Sequence, residues 1–231
     1  PPCSKNANCK SAAEWDDAEC FARKAQAMSA RGATPFPAMS IADAHKLMCQ
    51  PGTMFEIEEQ SVRGIRMKVW KNAPPSLREI FAITAAFAAR DAYVYETERV
   101  TFAGFRAAAI TLAHQLIKDG VKKGDRVAIV MRNLPEWPVA FWASVLAGAI
   151  VTPLNAWWTG PELEYGLQDS GAKVAIMDSE RFERLREHMA ACPDLKKVYL
   201  SRMAEETADP RIARLECAIG PATAWNAMQE P

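Results

Sequence analysis

The chain has 231 residues, of which 49% are hydrophobic and 24% charged, a composition typical of a globular protein with one or two domains. Lysine and arginine together number 28, as do aspartate and glutamate together, so no net charge favours nucleic acid or an anionic membrane. We therefore expect no nucleic-acid partner.

Residues 1–38 differ in composition from the rest and predict a poorly ordered extension before a main domain at 39–231. The extension includes a predicted helix from Ala12 to Met28 and ends in the linker-like run Thr34–Pro37. The six cysteines of the chain have irregular spacing, which favours free thiols over a disulfide framework or a zinc site. No basic-then-apolar leader is present, so we expect a cytoplasmic protein, with peripheral membrane association left open.

The next elements are predicted from caps and turn residues. Ser40 is expected to cap a short helix, and residues 51–75 read as a loop and hairpin with Gly64 near the bend. Ser76 is expected to cap a helix from Leu77 to Ala89. A second hairpin is predicted from residues 93–95 and 99–101, and Thr101 then caps a long helix that ends at Asp119-Gly120.

The second half of the chain alternates short apolar runs with helical segments. This alternation predicts βαβ units and an α/β fold with a mostly parallel sheet flanked by helices. The predicted strands are Arg126–Met131, Ala149–Leu154, Lys173–Met177 and Lys197–Leu200. The helices between them are predicted to start at Pro135, at the capping box Thr159–Glu162 and at Asp178-Ser179. No element is predicted in 215–231.

One apolar segment raises the question of a membrane span. The segment Val139–Val151 has only 13 residues, whereas a spanning helix needs about 20. We therefore predict no transmembrane segment.

Two groups of residues stand out as candidate sites. Arg132 and Asn133, with Glu136, follow a predicted strand, where they either contact a ligand or form a simple loop in which Asn133 caps the next helix. Trp157 and Trp158 either line an acyl-binding pocket or seal a helix against the sheet. No glycine-rich phosphate loop, nucleophile elbow or metal-ligand cluster is present, so we predict no catalytic, cofactor-binding or metal-binding residue.

Several motifs resemble one enzyme family. Val145–Asn155 resembles the second core motif of the adenylate-forming superfamily of AMP-forming acyl-CoA synthetases, and Val100–Phe105 resembles its first motif. Gly124–Ala128 and Arg132–Glu136 fit the strand and loop between them. Asn155–Leu163 is more similar to the fatty-acid type of acid–CoA ligase than to peptide-synthetase domains.

The resemblance implies an activity for the full-length family member. ATP and Mg²⁺ would activate a fatty or related carboxylic acid as an acyl-adenylate, and coenzyme A would then displace AMP. The family's phosphate loop and its later catalytic motifs do not occur in this sequence, so the resemblance implies a chain truncated before that loop, inactive alone and binding none of these cofactors. A homodimer is an option, because Lys197–Leu200 or its neighbour is expected to form a free sheet edge. The alternative is a non-catalytic binding or interaction module that reuses a Rossmann-like fold.

Overall fold

The computed structural model of the chain describes residues 38–203 and 208–231. The chain divides into two compact units, with the boundary between Ala73 and Pro74. The predicted helix from Ala12 to Met28 lies outside the described residues, as does the predicted extension 1–38 except for its last residue.

The first unit contains a short helix and the predicted hairpin. Helix α1 (Ile41–Met48) begins after Ser40, whose Oγ accepts a hydrogen bond from the backbone N–H of Asp43 at 3.1 Å. Strands β1 (Ile57–Val62) and β2 (Ile65–Trp70) pair in antiparallel fashion. Their turn places Gly64 at φ 83°, a left-handed conformation that glycine adopts without strain.

The second unit begins with a helix, a hairpin and a long helix, as predicted. Helix α2 (Leu77–Ile83) continues into a 3₁₀ turn at Thr84–Phe87. Strands β3 (Asp91–Tyr95) and β4 (Glu98–Thr101) form the hairpin, and helix α3 (Phe102–Lys118) follows directly. The hydroxyl of Thr101 accepts from the backbone N–H of Gly104, which confirms the predicted cap.

A five-stranded parallel sheet forms the centre of the second unit, so the predicted fold class is confirmed. The strand order is β6-β5-β7-β8-β9. The strands are β5 (Arg126–Val130), β6 (Ile150–Pro153), β7 (Ala172–Asp178), β8 (Lys197–Ser201) and β9 (Ile212–Arg214). The helices between them are α4 (Glu136–Leu146), α5 (Gly160–Ser170) and α6 (Ser179–Leu185), the last followed by a 3₁₀ turn at Arg186–Ala191.

Each face of the sheet has its own apolar core. Along β5, Val127 and Ile129 pack in the cluster that contains α3 and α4, whereas Ala128 and Val130 pack with α5 and α6. Side chains alternate between the two faces of a strand, so a strand that is apolar at every position is buried on both sides. The short apolar runs that predicted β5, β7 and β8 reflect this double burial, whereas β6 is partly exposed.

The C-terminal segment differs from the prediction. Residues 215–231, for which no element is predicted, contain helix α7 (Leu215–Ile219) and a 3₁₀ turn at Ala222–Ala227. Strand β9 pairs with β8, so the predicted strand Lys197–Leu200 is interior and β9 lies at this edge of the sheet. These elements are too short for a periodic apolar pattern, and contacts distant in sequence stabilise them, such as the hydrogen bond from Thr101 N–H to Asn226 Oδ1 at 2.8 Å.

The apolar segment Val139–Val151 is divided between α4, a turn and β6. Across the described residues, no helix combines the length and apolar character needed to cross a membrane.

Candidate functional site

A cavity of about 410 Å³ lies at the carboxyl ends of β5, β7 and β8. In open parallel α/β sheets this end of the strands is the usual place for a ligand. The cavity is lined by Tyr95, Arg132, Asn133, Leu134, Asp178, Ser179, Glu180, Arg181 and Arg202. We call it the strand-end cavity.

Asp178 joins two of the strand ends that form this cavity. Its carboxylate accepts a hydrogen bond from the backbone N–H of Arg132 at 3.0 Å, which ties the loop after β5 to the end of β7. The same carboxylate caps α6 by accepting from the backbone N–H of Arg181 at 2.9 Å. Asp178 is buried, and these contacts fix the floor of the cavity.

Arg181 is a buried cation in the wall of the cavity, with only 2% of its surface exposed. Its Nη1 atom lies 3.3 Å from Asp178 and 2.9 Å from Glu180, and its Nε donates to the carbonyl of Ala156 at 3.0 Å. Its Nη2 atom is buried and has no hydrogen-bond partner within the described residues. The guanidinium is therefore held by Nη1 and Nε, while Nη2 makes no hydrogen bond within the described residues.

Arg202 connects the cavity to the hairpin and to α4. Its Nε lies 3.0 Å from Glu136, and its Nη atoms lie 3.1 and 2.8 Å from the carboxylate of Glu98. The guanidinium also stacks on the ring of Tyr95 at 5.1 Å. Burial raises the pKa of Glu136, although the hydrogen bond from Arg202 acts in the opposite direction.

The structure separates the three residues that sequence analysis grouped after β5. Arg132 and Asn133 line the strand-end cavity, while Glu136 is buried and bound to Arg202. The predicted cap by Asn133 is wrong, because Pro135 occupies the N-cap position of α4 and no side chain caps that helix. Proline fixes the backbone for the first helical turn, which leaves the Asn133 amide outside the helix.

The two adjacent tryptophans have different surroundings. Trp158 is partly buried against the core that contains α5, and its Cζ3 atom lies 2.8 Å from the point where a Cβ on Gly166 would sit. Trp157 is 66% exposed, and the guanidinium of Arg132 stacks over its ring at 4.0 Å. Trp158 thus packs the loop on α5, whereas Trp157 supports a residue of the cavity.

Two histidines of the second unit do not line the cavity. His188 Nδ1 is 2.7 Å from a carboxylate oxygen of Glu164 on α5, and His114 lies within α3. Within 38–203 and 208–231, no cluster of three or more His, Cys, Asp and Glu side chains could hold a metal ion. No local sequence pattern indicated Arg202 or Arg181 as cavity residues, and Asp178 was predicted only as a helix cap.

Comparison with known families places the chain among adenylate-forming proteins. The sequence profile described as AMP-binding enzyme matches residues 81–224, which contain both motifs of the resemblance noted above and every residue that lines the strand-end cavity. A long-chain-fatty-acid–CoA ligase from Salmonella typhimurium is 35% identical over 154 residues, which is 60% of this chain and 27% of that protein. A long-chain-fatty-acid–CoA ligase from Mycobacterium tuberculosis is 40% identical over 78 residues, or 34% of this chain and 16% of that protein.

Solved structures give the same picture of the fold. A crystal structure assigned as a long-chain-fatty-acid CoA ligase from Rhodopseudomonas palustris aligns with a TM-score of 0.56 at 27% identity, covering 62% of this chain and 36% of that chain. The coronafacic acid ligase of Pectobacterium brasiliense aligns with a TM-score of 0.58 at 23% identity, covering 62% of this chain and 29% of that chain. The chain thus spans about a quarter of the length of the Salmonella relative.

Proposed function

Because the chain belongs to the AMP-binding enzyme family, we propose that it is part of an acid–CoA ligase that activates a fatty or related carboxylic acid. In this reaction the acid's carboxylate attacks the α-phosphate of ATP, and pyrophosphate leaves. The sulfur of coenzyme A then attacks the acyl carbon, and AMP leaves as the thioester forms. The partners are therefore small molecules, and the proposed location is the cytoplasm, with peripheral membrane association left open.

The proposal rests on the similarity of the chain to fatty-acid–CoA ligases. The family match over 81–224 includes the sheet, its flanking helices and the strand-end cavity, and 60% of the chain aligns at 35% identity with a ligase named for long-chain fatty acids. Fold alone would not indicate a substrate, because one fold hosts many activities. The identity to fatty-acid ligases favours an acyl chain over the acids of other family branches.

The residues of this chain are proposed to supply scaffold and binding contacts. Adenylation needs preorganised cations and N–H donors around the phosphates, and the sequence contains no glycine-rich phosphate loop. We assign no residue to Mg²⁺, because no described cluster of acidic side chains suits a metal. We therefore propose that the 231-residue chain alone does not adenylate a carboxylic acid.

The complete reading frame that contains this chain provides the test. Its purified product, incubated with ATP, Mg²⁺, coenzyme A and fatty acids of graded length, should release AMP and form acyl-CoA. The 231-residue chain assayed in parallel should give no carboxylate-dependent exchange of pyrophosphate into ATP. A folded full-length product that forms no acyl-CoA would instead favour the alternative, a non-catalytic binding module.

A further inference from the structure

The β1–β2 hairpin of the first unit is a two-stranded sheet whose outer edges are unpaired. Among the strands of residues 38–203 and 208–231, β1 and β2 pair only with each other, and no residue of either strand is buried. An isolated hairpin of two strands is marginally stable in water, whereas three or more strands can be stable on their own. The hairpin lies outside residues 81–224, so the family match does not account for it.

The turn of the hairpin determines which backbone groups point to the free edge of β1. Arg63 and Gly64 both have positive φ, 52° and 83°, which is the conformation of a type I′ turn with a two-residue loop. The residues that flank such a loop form a hydrogen-bonded pair, and hydrogen-bonded and non-hydrogen-bonded pairs then alternate along the strands. The N–H and C=O groups of Glu59 and Ser61 therefore point away from β2 and can pair with another strand.

Charge disfavours pairing at the free edge of β2. Arg66 and Lys68 lie on either side of Met67 at the middle of this strand. Two copies of β2 that pair about Met67 would set Arg66 of one copy opposite Lys68 of the other, and pairing about either cation would set it opposite itself. Like charges directly opposite each other destabilise a sheet, and cations on an edge strand oppose further pairing.

The free edge of β1 allows a symmetric pairing without this conflict. In a two-fold arrangement centred on Gln60, Glu59 lies opposite Ser61 of the second copy, and Glu58 lies opposite Val62. No like charges are then directly opposite, and the backbone groups that face each other are those that the hairpin itself does not use. The carboxylates of Glu58 and Glu59 would meanwhile be repelled by an anionic lipid surface, which favours a protein strand over a membrane at this edge.

We propose that the free edge of β1 binds a second copy of this chain, so that two hairpins form one antiparallel sheet with the order β2-β1-β1-β2. The two-fold axis passes between the two Gln60 residues, and each pair of Glu59 with Ser61 exchanges backbone hydrogen bonds. The resulting sheet has four strands, which exceeds the minimum for independent stability. The interface belongs to the first unit and does not depend on the activity proposed above.

Sedimentation velocity of the 231-residue chain over a range of concentrations tests this proposal with two proline variants. Ser61→Pro removes an N–H group that faces the free edge of β1. Arg66→Pro is the matched control, because Arg66 is the residue opposite Ser61 and its N–H group faces the free edge of β2. We expect wild type and Arg66→Pro to dimerise alike, and Ser61→Pro to weaken dimerisation about tenfold or more, because symmetry removes two hydrogen bonds at once. Circular dichroism of each variant verifies that the fold is kept.

A charge on the two-fold axis gives a second readout that does not require proline to be tolerated. Gln60→Glu sets two carboxylates opposite each other, so dimerisation should weaken at pH 7 and recover towards about pH 4, where carboxylates take up protons. Met67→Glu is the matched control, because Met67 is the residue opposite Gln60 and adds the same charge to β2, away from the axis.

Three results would overturn the proposal. The first is a wild-type chain that stays monomeric at every concentration, including one that cosediments with anionic vesicles and so assigns the edge to a lipid surface. The second is equal dimerisation of Ser61→Pro and Arg66→Pro. The third is equal weakening by Gln60→Glu and Met67→Glu, which would show that Gln60 does not lie on the axis of the dimer.

Discussion

The Nε atom of Arg202 lies 3.0 Å from the Oε1 atom of Glu136, which joins the residue after β8 to the first turn of α4. Arg202 reaches this position at φ 55°, and it also binds Glu98 on the hairpin. Three segments therefore meet at one guanidinium. Because Glu136 is only 4% exposed, the pair neutralises a carboxylate that water cannot reach well.

Replacement of Arg202 should destabilise the second unit. Arg202→Gln leaves the buried Glu136 carboxylate without its cation, and we expect the free energy of unfolding to fall by about 1–3 kcal/mol. Urea denaturation followed by fluorescence measures the change. The double variant Arg202→Gln/Glu136→Gln should recover part of the loss, because it removes the unpaired charge as well. A loss no larger than that of the exposed control Arg186→Gln would contradict this role for Arg202.

The raised pKa of Glu136 predicts a pH dependence with a definite sign. Burial raises this pKa in the folded protein above the unfolded value of about 4.3, so the folded state holds the proton more tightly. The contribution of Glu136 to stability should therefore be fully present below about pH 4.3 and be lost as pH rises through the raised pKa of the folded state. The charge of Glu98 also raises the pKa of Glu136, whereas the hydrogen bond and charge of Arg202 lower it. Unfolding of wild type and Glu136→Gln, compared at each pH, isolates the effect.

Glu162 provides a comparison of opposite sign. The backbone N–H of Thr159 binds its carboxylate and lowers its pKa, so its contribution is present at neutral pH and lost on acidification. The stability difference between wild type and Glu162→Gln should therefore shrink as pH falls, while that for Glu136→Gln changes the other way. Parallel trends in the two variants would contradict the assignment.

The fold was predictable from the sequence because apolar runs and helix caps are formed by residues that are close together in the chain. Strands β5, β7 and β8 are short runs that are buried on both faces, and caps such as Thr101 and Thr159 lie next to the helices that they start. Strand β9 has three residues and α7 has five, so neither contains a full period of apolar positions. Their existence depends on packing against β8 and α3, which a local pattern does not encode.

The candidate site was harder to predict because its contacts are distant in sequence. Arg202 is 66 residues from Glu136 and 104 from Glu98, and nothing near Arg202 in the sequence indicates either partner. Asp178 was recognisable as a cap for α6, but its bond to the backbone of Arg132 spans 46 residues. Only Arg132 and Asn133 were identified from the sequence, through their place after a predicted strand.

The start of α5 should not tolerate a side chain at Gly160. An added Cβ would lie 2.4 Å from the carbonyl oxygen of Arg184 and 2.5 Å from the ring of His188, and the carbonyl belongs to a helix that cannot shift easily. We expect Gly160→Ala to lower the free energy of unfolding by about 1–3 kcal/mol through overpacking. Asp169→Ala changes an exposed position of the same helix and should alter stability by less than about 0.5 kcal/mol. Equal stability of the two variants would show that α5 can move away.

Arg106 should matter more than its ion-pair partner Glu230. Arg106 is largely buried and donates to the carbonyl of Phe81 at 2.7 Å and to the hydroxyl of Thr84 at 3.1 Å, whereas Glu230 is 42% exposed. Arg106→Met should cost about 1–3 kcal/mol, because the buried carbonyl loses its charged donor. Glu230→Gln should cost at most about 1 kcal/mol, as for an exposed ion pair. Chemical denaturation of both variants tests the order, and a reversed order would contradict it.

The free edge of the central sheet should promote association of the chain. Among the strands of 38–203 and 208–231, β6 pairs only with β5, so its other side presents unpaired backbone groups, and Ile150 at its start is 54% exposed. We expect sedimentation velocity to show concentration-dependent association, and Ile150→Lys to shift the population towards monomer, because a charge on an edge strand opposes pairing. Ile117→Lys is the control, since Ile117 is similarly exposed, at 52%, but lies on α3. A wild-type monomer at every concentration, or an equal effect of Ile117→Lys, would show that the β6 edge does not mediate association.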